Sequence, residues 1–288
     1  MSKITTIAGV VGLVVAAGVA SAQSAADTVY GVTQDNTLVR FNATTPGTIQ
    51  AGVPIQGLAS NEVIRGIDFR PATGELYALG SFSRLYRVNV TTGQATQVGG
   101  TLSPMLNGSS FGFDFNPTID RIRVISDADQ SLALNPITGA VGAVNGSLNY
   151  AAGDVNFGVN PNGVAAAYTN NFDGATTTTL YVLDTGLDVL AIQNVSTGAL
   201  TTVGSVGVDL NDMSSFDISG ATGIAYAAVR NVTTARTTFW TINLATGAGS
   251  FVGEVGGGSI LTAMAVIPTP GAAAVLALGG LAMGRRRR

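Results

Sequence analysis

A single unit, repeated in degraded copies, limits how this chain can fold more than any other feature. Its clearest copy is residues 66–99, GIDFRPATGELYALGSFSRLYRVNVTTGQATQVG. The stretch reads as short strands of β-branched and aromatic residues separated by turns rich in Gly, Asn and Thr. Aligned on the glycine that closes each copy, the units end at Gly47, Gly93, Gly139, Gly198 and Gly247, spaced 46, 46, 59 and 49 residues apart. A period in the forties with about four strands per unit marks a propeller blade rather than a helical repeat. The prediction is an all-β chain, a five-bladed β-propeller of four-stranded blades.

The two ends of the repeat complete one another. The first copy has a hairpin, Thr28–Thr33 with Thr37–Asn42, but nothing before it matches the GIDF strand. After the last hairpin the segment 260–268, ILTAMAVIP, has no partner following it and resembles 63–71, VIRGIDFRP, down to the closing proline. The first blade is therefore expected to be closed by the C-terminal strand, which leaves no open edge between the first and last blades. The fourth unit carries extra residues at 146–161, the candidate specificity loop, since irregular additions to repeats tend to carry function.

Composition narrows the chemistry. The 288 residues include no Cys and no His. Thiol nucleophiles, thiolate metal sites, the Ser-His-Asp triad and the commonest neutral-pH general base are thereby excluded. No phosphate-binding glycine loop is present, and no cofactor is expected. Five of the 14 basic residues, Lys3 and Arg285 to Arg288, sit at the extremes, leaving a body with nine basic against 17 acidic residues, net −8. Such a body repels nucleic-acid phosphates and anionic lipid.

Residues 1–22 read as a secretory signal peptide: Lys3, an apolar run from Ile7 to Val19, and a small-x-small cleavage site at Ala20 and Ala22 before Gln23. The propeller domain is placed at 23–267. Residues 268–288 follow as a second address, with Pro268 and Pro270, a short apolar stretch, and Arg285, Arg286, Arg287 and Arg288. The apolar stretch is short for a span, so the membrane is met only in transit.

Two resemblances rest on these residues. The tail resembles the PEP-CTERM sorting signal, although Pro268-Thr269-Pro270 stands where that family usually has Pro-Glu-Pro. The resemblance implies a bacterial protein handled by signal peptidase and an exosortase-type enzyme and delivered to the outer surface or extracellular matrix. The body resembles the bacterial family called domain of unknown function 4394. The segments that carry this are Gly66–Gly74 with Leu76–Leu79, Ser110–Pro117 with Asp120–Val124, and Ala165–Asn170 with Leu187-Asp188. That family implies no activity and lends no catalytic residue.

Candidate chemistry lies in the carboxylates. Asp68, Asp114 and Asp217 occupy the same place in three units, on the strand expected to line the axis. One reading is a general acid with a nucleophile or base, as in glycosidic hydrolysis. The other is that each carboxylate satisfies backbone N–H groups of the next blade. Asp127 and Asp129 have an alternating acidic spacing that suits calcium, but no EF-hand pattern follows, so a hairpin turn is expected. Arg121 and Arg123 are expected to pair with Asp120 or Asp114, and Trp240, at the position of Tyr86, to pack between blades. The expected function is an exported, non-catalytic module that binds a glycan or a protein. The alternative is a carbohydrate-active enzyme using Asp68, Asp114 and Asp217.

Overall fold

A computed structural model describes residues 27–267. The segments read as a signal peptide, with Ala20 and Ala22 at its expected cleavage site, and as a sorting tail, Pro268 to Arg288, lie outside the described residues. Five antiparallel sheets form the wheel. Blade 1 is ordered Leu261–Val266, Thr28–Thr33, Thr37–Asn42, Thr45–Pro54 from axis to rim. Blade 2 comprises Ile64–Phe69, Leu76–Gly80, Arg84–Val88 and Ala95–Val98, and blade 3 Phe111–Asn116, Arg121–Ser126, Ser131–Leu134 and Val141–Val144. Blade 4 contains Gly163–Tyr168, Leu180–Asp184, Val189–Gln193 and Ala199–Ser205, and blade 5 Ser215–Ile218, Ala225–Asn231, Arg236–Ile242 and Gly249–Glu254. Apart from a 3₁₀ turn at Gly256–Gly258, the described residues contain no helix.

The closing strand pairs as the sequence predicts. Val266 lies opposite Val29, Ala265 opposite Tyr30, and Ala263 opposite Val32. Gly31 in that register packs against the Leu261 side chain, whose Cδ1 a Cβ would approach to 2.8 Å.

Each blade is apolar on both faces, which is why its strands read as unbroken hydrophobic runs rather than alternating ones. The period of two sends Val29, Phe41 and Val266 towards blade 5, where Tyr226 and Phe239 meet them. Their neighbours Tyr30, Val32 and Leu38 face Ile67, Phe69 and Tyr86 of blade 2. Five such apolar clusters fill the five junctions.

Two details depart from the simple repeat. Gly93, Gly139, Gly198 and Gly247 are turn glycines with positive φ, and a Cβ on any of them would strike a backbone oxygen of the preceding blade or its connector. Gly47 instead lies within the strand Thr45–Pro54, the first turn falling one step earlier at Ala43 and Thr44. Blade 4 is also five-stranded: Asn149–Tyr150 adds to its rim, parallel to Ala199–Leu200. Part of the fourth-unit insertion is thus sheet.

Candidate functional site

Three of the five inner strands carry an aspartate at one register, opposite Tyr77, Arg123 and Tyr226 of the second strands. Blades 1 and 4 have Ala265 and Ala167 there, opposite Tyr30 and Tyr181. Two residues upstream of Asp68 and Asp114, on the same strand face, stand Gly66 and Gly112. A Cβ at Gly66 would lie 2.5 Å from Phe113 Cβ, and one at Gly112 2.7 Å from Ala166 N. Bare glycines let neighbouring inner strands approach until a carboxylate can bridge them.

The bridges follow the ring. Phe115 N–H of blade 3 donates to Asp68 at 2.7 Å, Tyr168 N–H of blade 4 to Asp114 at 3.0 Å, and Val266 N–H of blade 1 to Asp217 at 2.5 Å. Asp68 and Asp217 each also accept the N–H of their own following residue at 2.6 Å. Carboxylate oxygens of the three come within 4.8 Å of one another, and each residue is 1% exposed.

Burial raises all three above the ordinary carboxylate range. Asp68 and Asp114 stand well above it, with charge repulsion inside the trio adding to the effect. Burial pushes Asp217 up to about 7 against the pull of two backbone N–H groups. Among the described residues the trio is the one cluster of three or more acidic groups spaced to hold a cation, which would compete with protons for the carboxylates.

The axial cavity beside the trio, lined by Gly66, Ile67, Phe113, Ala166, Phe216 and Met264 among others, measures about 20 Å³. That is room for one water.

The other expected site residues are dispersed. Asp127 accepts from the Ser109 N–H at 2.9 Å and its hydroxyl at 2.6 Å, tying down the connector into blade 3. Asp129 occupies the positive-φ position of the same turn. Arg123 is buried and donates to Ser131 Oγ and Asn145 Oδ1, not to an aspartate. Arg121 donates to the carbonyl of Asp120. The carboxylate of Asp120 instead receives Arg70 across the blade 2–3 junction, at 2.5 and 2.8 Å.

Two polar clusters have no obvious sequence signal. Glu62, in the connector entering blade 2, is buried and accepts from Tyr86 Oη at 2.6 Å, Arg84 Nη1 at 3.2 Å and the Phe82 N–H at 3.1 Å. In blade 4, Tyr150 of the insertion is buried and donates to Asp184 at 2.5 Å. Burial and that carboxylate raise the Tyr150 hydroxyl pKa far above the usual tyrosine range.

Beyond Tyr150 the insertion changes character. Asp154 accepts from the Thr202 N–H and hydroxyl, and Asn162 donates to Thr185 and Asp212, so the segment crosses the end of blade 4 from rim to axis. Between those anchors Val155 is 85% and Phe157 65% exposed.

The family model for domain of unknown function 4394 (DUF4394) matches residues 37–265, nearly the whole ring. This chain belongs to the DUF4394 family. No curated protein matches it. Among solved structures, this DUF4394 chain is similar to a protein of unknown function from Bacteroides thetaiotaomicron, with 15% identity and a TM-score of 0.50 over 69% of this chain and 53% of that one. It spans about half of that structure's length. A protein from Lactobacillus plantarum (18% identity, TM-score 0.42, 83% and 71% covered) and the glutaminyl cyclase of Myxococcus xanthus (14%, 0.40, 80% and 78%) are more distant. At these identities the likeness concerns fold alone.

Proposed function

We propose that this DUF4394 protein is an exported propeller of the bacterial surface or matrix, and that it binds an extracellular glycan without cleaving it. One observation carries the non-catalytic part. The carboxylates available for hydrolysis are buried, bonded to the backbone of neighbouring blades, and next to space for a single water. Glycosidic cleavage needs an acid and a nucleophile or base flanking a substrate, which that geometry leaves no room for.

Support for binding comes from the end of the wheel where connectors enter the inner strands. Phe157 on the blade 4 crossing and Phe82 on a blade 2 turn expose aromatic surface there, beside polar connector residues. Aromatic faces with flanking hydrogen-bonding groups suit the apolar faces of sugar rings. Export rests on residues 1–22 and 268–288.

The test uses the 23–267 body on an array of bacterial exopolysaccharides, with and without Phe157→Ala. Retention that weakens at least about tenfold in the variant, without a change in melting temperature, is expected for a hot-spot aromatic. Release of reducing ends from any retained glycan, or no retention on any surface, overturns the reading.

A further inference from the structure

The repeat supplies its own control for a site in blade 5. Register places Trp240 where Tyr86 stands, opposite Ala227 and Ala78 respectively, and Thr238 where Arg84 stands, opposite Val229 and Gly80. In blade 2 this position is closed, because Arg84 and Tyr86 both donate to the buried carboxylate of Glu62. Counting from the shared aspartates, Asn211 replaces Glu62, and its side chain donates instead to the carbonyl of Arg230 at 2.5 Å. The carboxylate, its arginine and its tyrosine are all gone.

What remains is a cavity of about 140 Å³ lined by Val208, Asp209, Val229, Arg230, Thr238 and Trp240, among others. An apolar cavity of about that size holds one six-membered ring. Trp240 is half-buried against Phe251, with ring centroids 5.3 Å apart, and its indole N–H is occupied by Thr238 Oγ1 at 2.9 Å. Strand alternation turns the Arg230 side chain to the other face of blade 5, where its ladder partner Thr237 accepts the Leu261 N–H of blade 1 and its own Nη1 lies 3.1 Å from Met213 Sδ. Asp209 is exposed. Neither Asp209 nor Arg230 takes part in an ion pair among the described residues. The connector that bears Asp209 also bears Asp212, which receives Asn162 from the blade 4 crossing, so the cavity opens on the same end of the wheel.

We infer that this cavity is a subsite for one neutral pyranose ring of a glycan chain. The inference rests on the glycan-binding reading and gives that reading a location. The Trp240 ring packs against the sugar's C–H face, and the exposed Asp209 carboxylate accepts its hydroxyls. A carboxylate at its rim, in a body of net charge −8, selects against uronic acids.

Because Trp240 is the chain's only tryptophan, its emission reports on this cavity alone. Titrating the 23–267 body with methyl glucopyranoside, mannopyranoside and galactopyranoside should give a saturable emission change with one of them, half-complete at ~1–10 mM for a ligand of that size. Asp209→Asn should weaken it at least about tenfold while leaving the melting temperature unchanged. No saturable change with any of the three, the same response in the Asp209→Asn variant, or saturation with methyl glucuronide alone would overturn the inference. The exopolysaccharide array separates the two failures. An Asp209→Asn variant retained as well as wild type places the glycan elsewhere on the wheel, whereas a wild-type protein that is never retained removes the binding reading itself.

Discussion

Replacing Asp114 by Asn is the most direct probe of the axial carboxylates. In the folded protein burial and two neighbouring carboxylates oppose the ionisation of Asp114 and hold its carboxyl well above the ordinary range. An amide keeps the oxygen that accepts the Tyr168 N–H and puts an NH₂ donor, with no ionisable proton, within reach of the Asp217 carboxylate. The pH dependence follows from linkage. A carboxyl whose folded pKa lies above its unfolded one costs nothing while both states are protonated, and destabilises the fold as pH rises through the interval between them. For Asp217 that interval runs from 3.8 to about 7. Its full width corresponds to about 4 kcal/mol. Wild-type stability should therefore fall from about pH 4 towards pH 8. Asp114→Asn removes one acid from the trio and gives Asp217 a donor that cannot be titrated away. At pH 8 the variant should be more stable by about 2 kcal/mol, which raises the melting temperature by about 4–8 °C for a domain of this size. Near pH 4 the two proteins should melt within about 1 °C of each other. Thermal unfolding followed by near-UV circular dichroism across that range measures both. A variant that is less stable at pH 8 than at pH 4, relative to wild type, would show that Asp114 is a charged acceptor in the fold and refute the reasoning.

Two further substitutions test how the ring is assembled. Gly112→Ala forces a Cβ against Ala166 N and should cost about 1–3 kcal/mol in urea unfolding, whereas a neutral result would mean that blades 3 and 4 are looser than described. Tyr150→Phe leaves Asp184 without its hydroxyl donor and should cost about 1–3 kcal/mol, with array retention unchanged if residues 146–150 serve only to anchor the exposed crossing.

Most of the architecture was legible because a propeller writes its period into its turns. The glycines at 93, 139, 198 and 247 had to be glycines, since each presses on a backbone oxygen at positive φ, and the spacing between them counts the blades. Closure was legible for a related reason, as an inner-strand pattern at residues 260–268 had no blade of its own. Gly47 misled because a glycine inside a strand looks the same in sequence as one in a turn. The trio of aspartates was visible as a repeat, but not its depth. That depends on Gly66 and Gly112 drawing the inner strands together, a contact between residues about fifty positions apart. Arg123 was misassigned for a similar reason: its partners, Ser131 and Asn145, lie on other strands and connectors of its neighbourhood rather than beside it in the chain. The blade 5 cavity had a signal, Trp for Tyr and Thr for Arg at matched positions. Its meaning needed the buried Glu62 of blade 2 as the term of comparison.

The seam that closes the wheel also decides how the molecule can be held. Ile267 N–H donates to the carbonyl of Thr28 at 3.1 Å, so the two strands leave the ring side by side. They leave level with Asn42, away from the Thr33–Thr37 side on which the connectors enter the inner strands. A leash on either strand pulls at one spot on the underside, and the disc then turns the crossing with Phe157 and the cavity beside Trp240 away from its support.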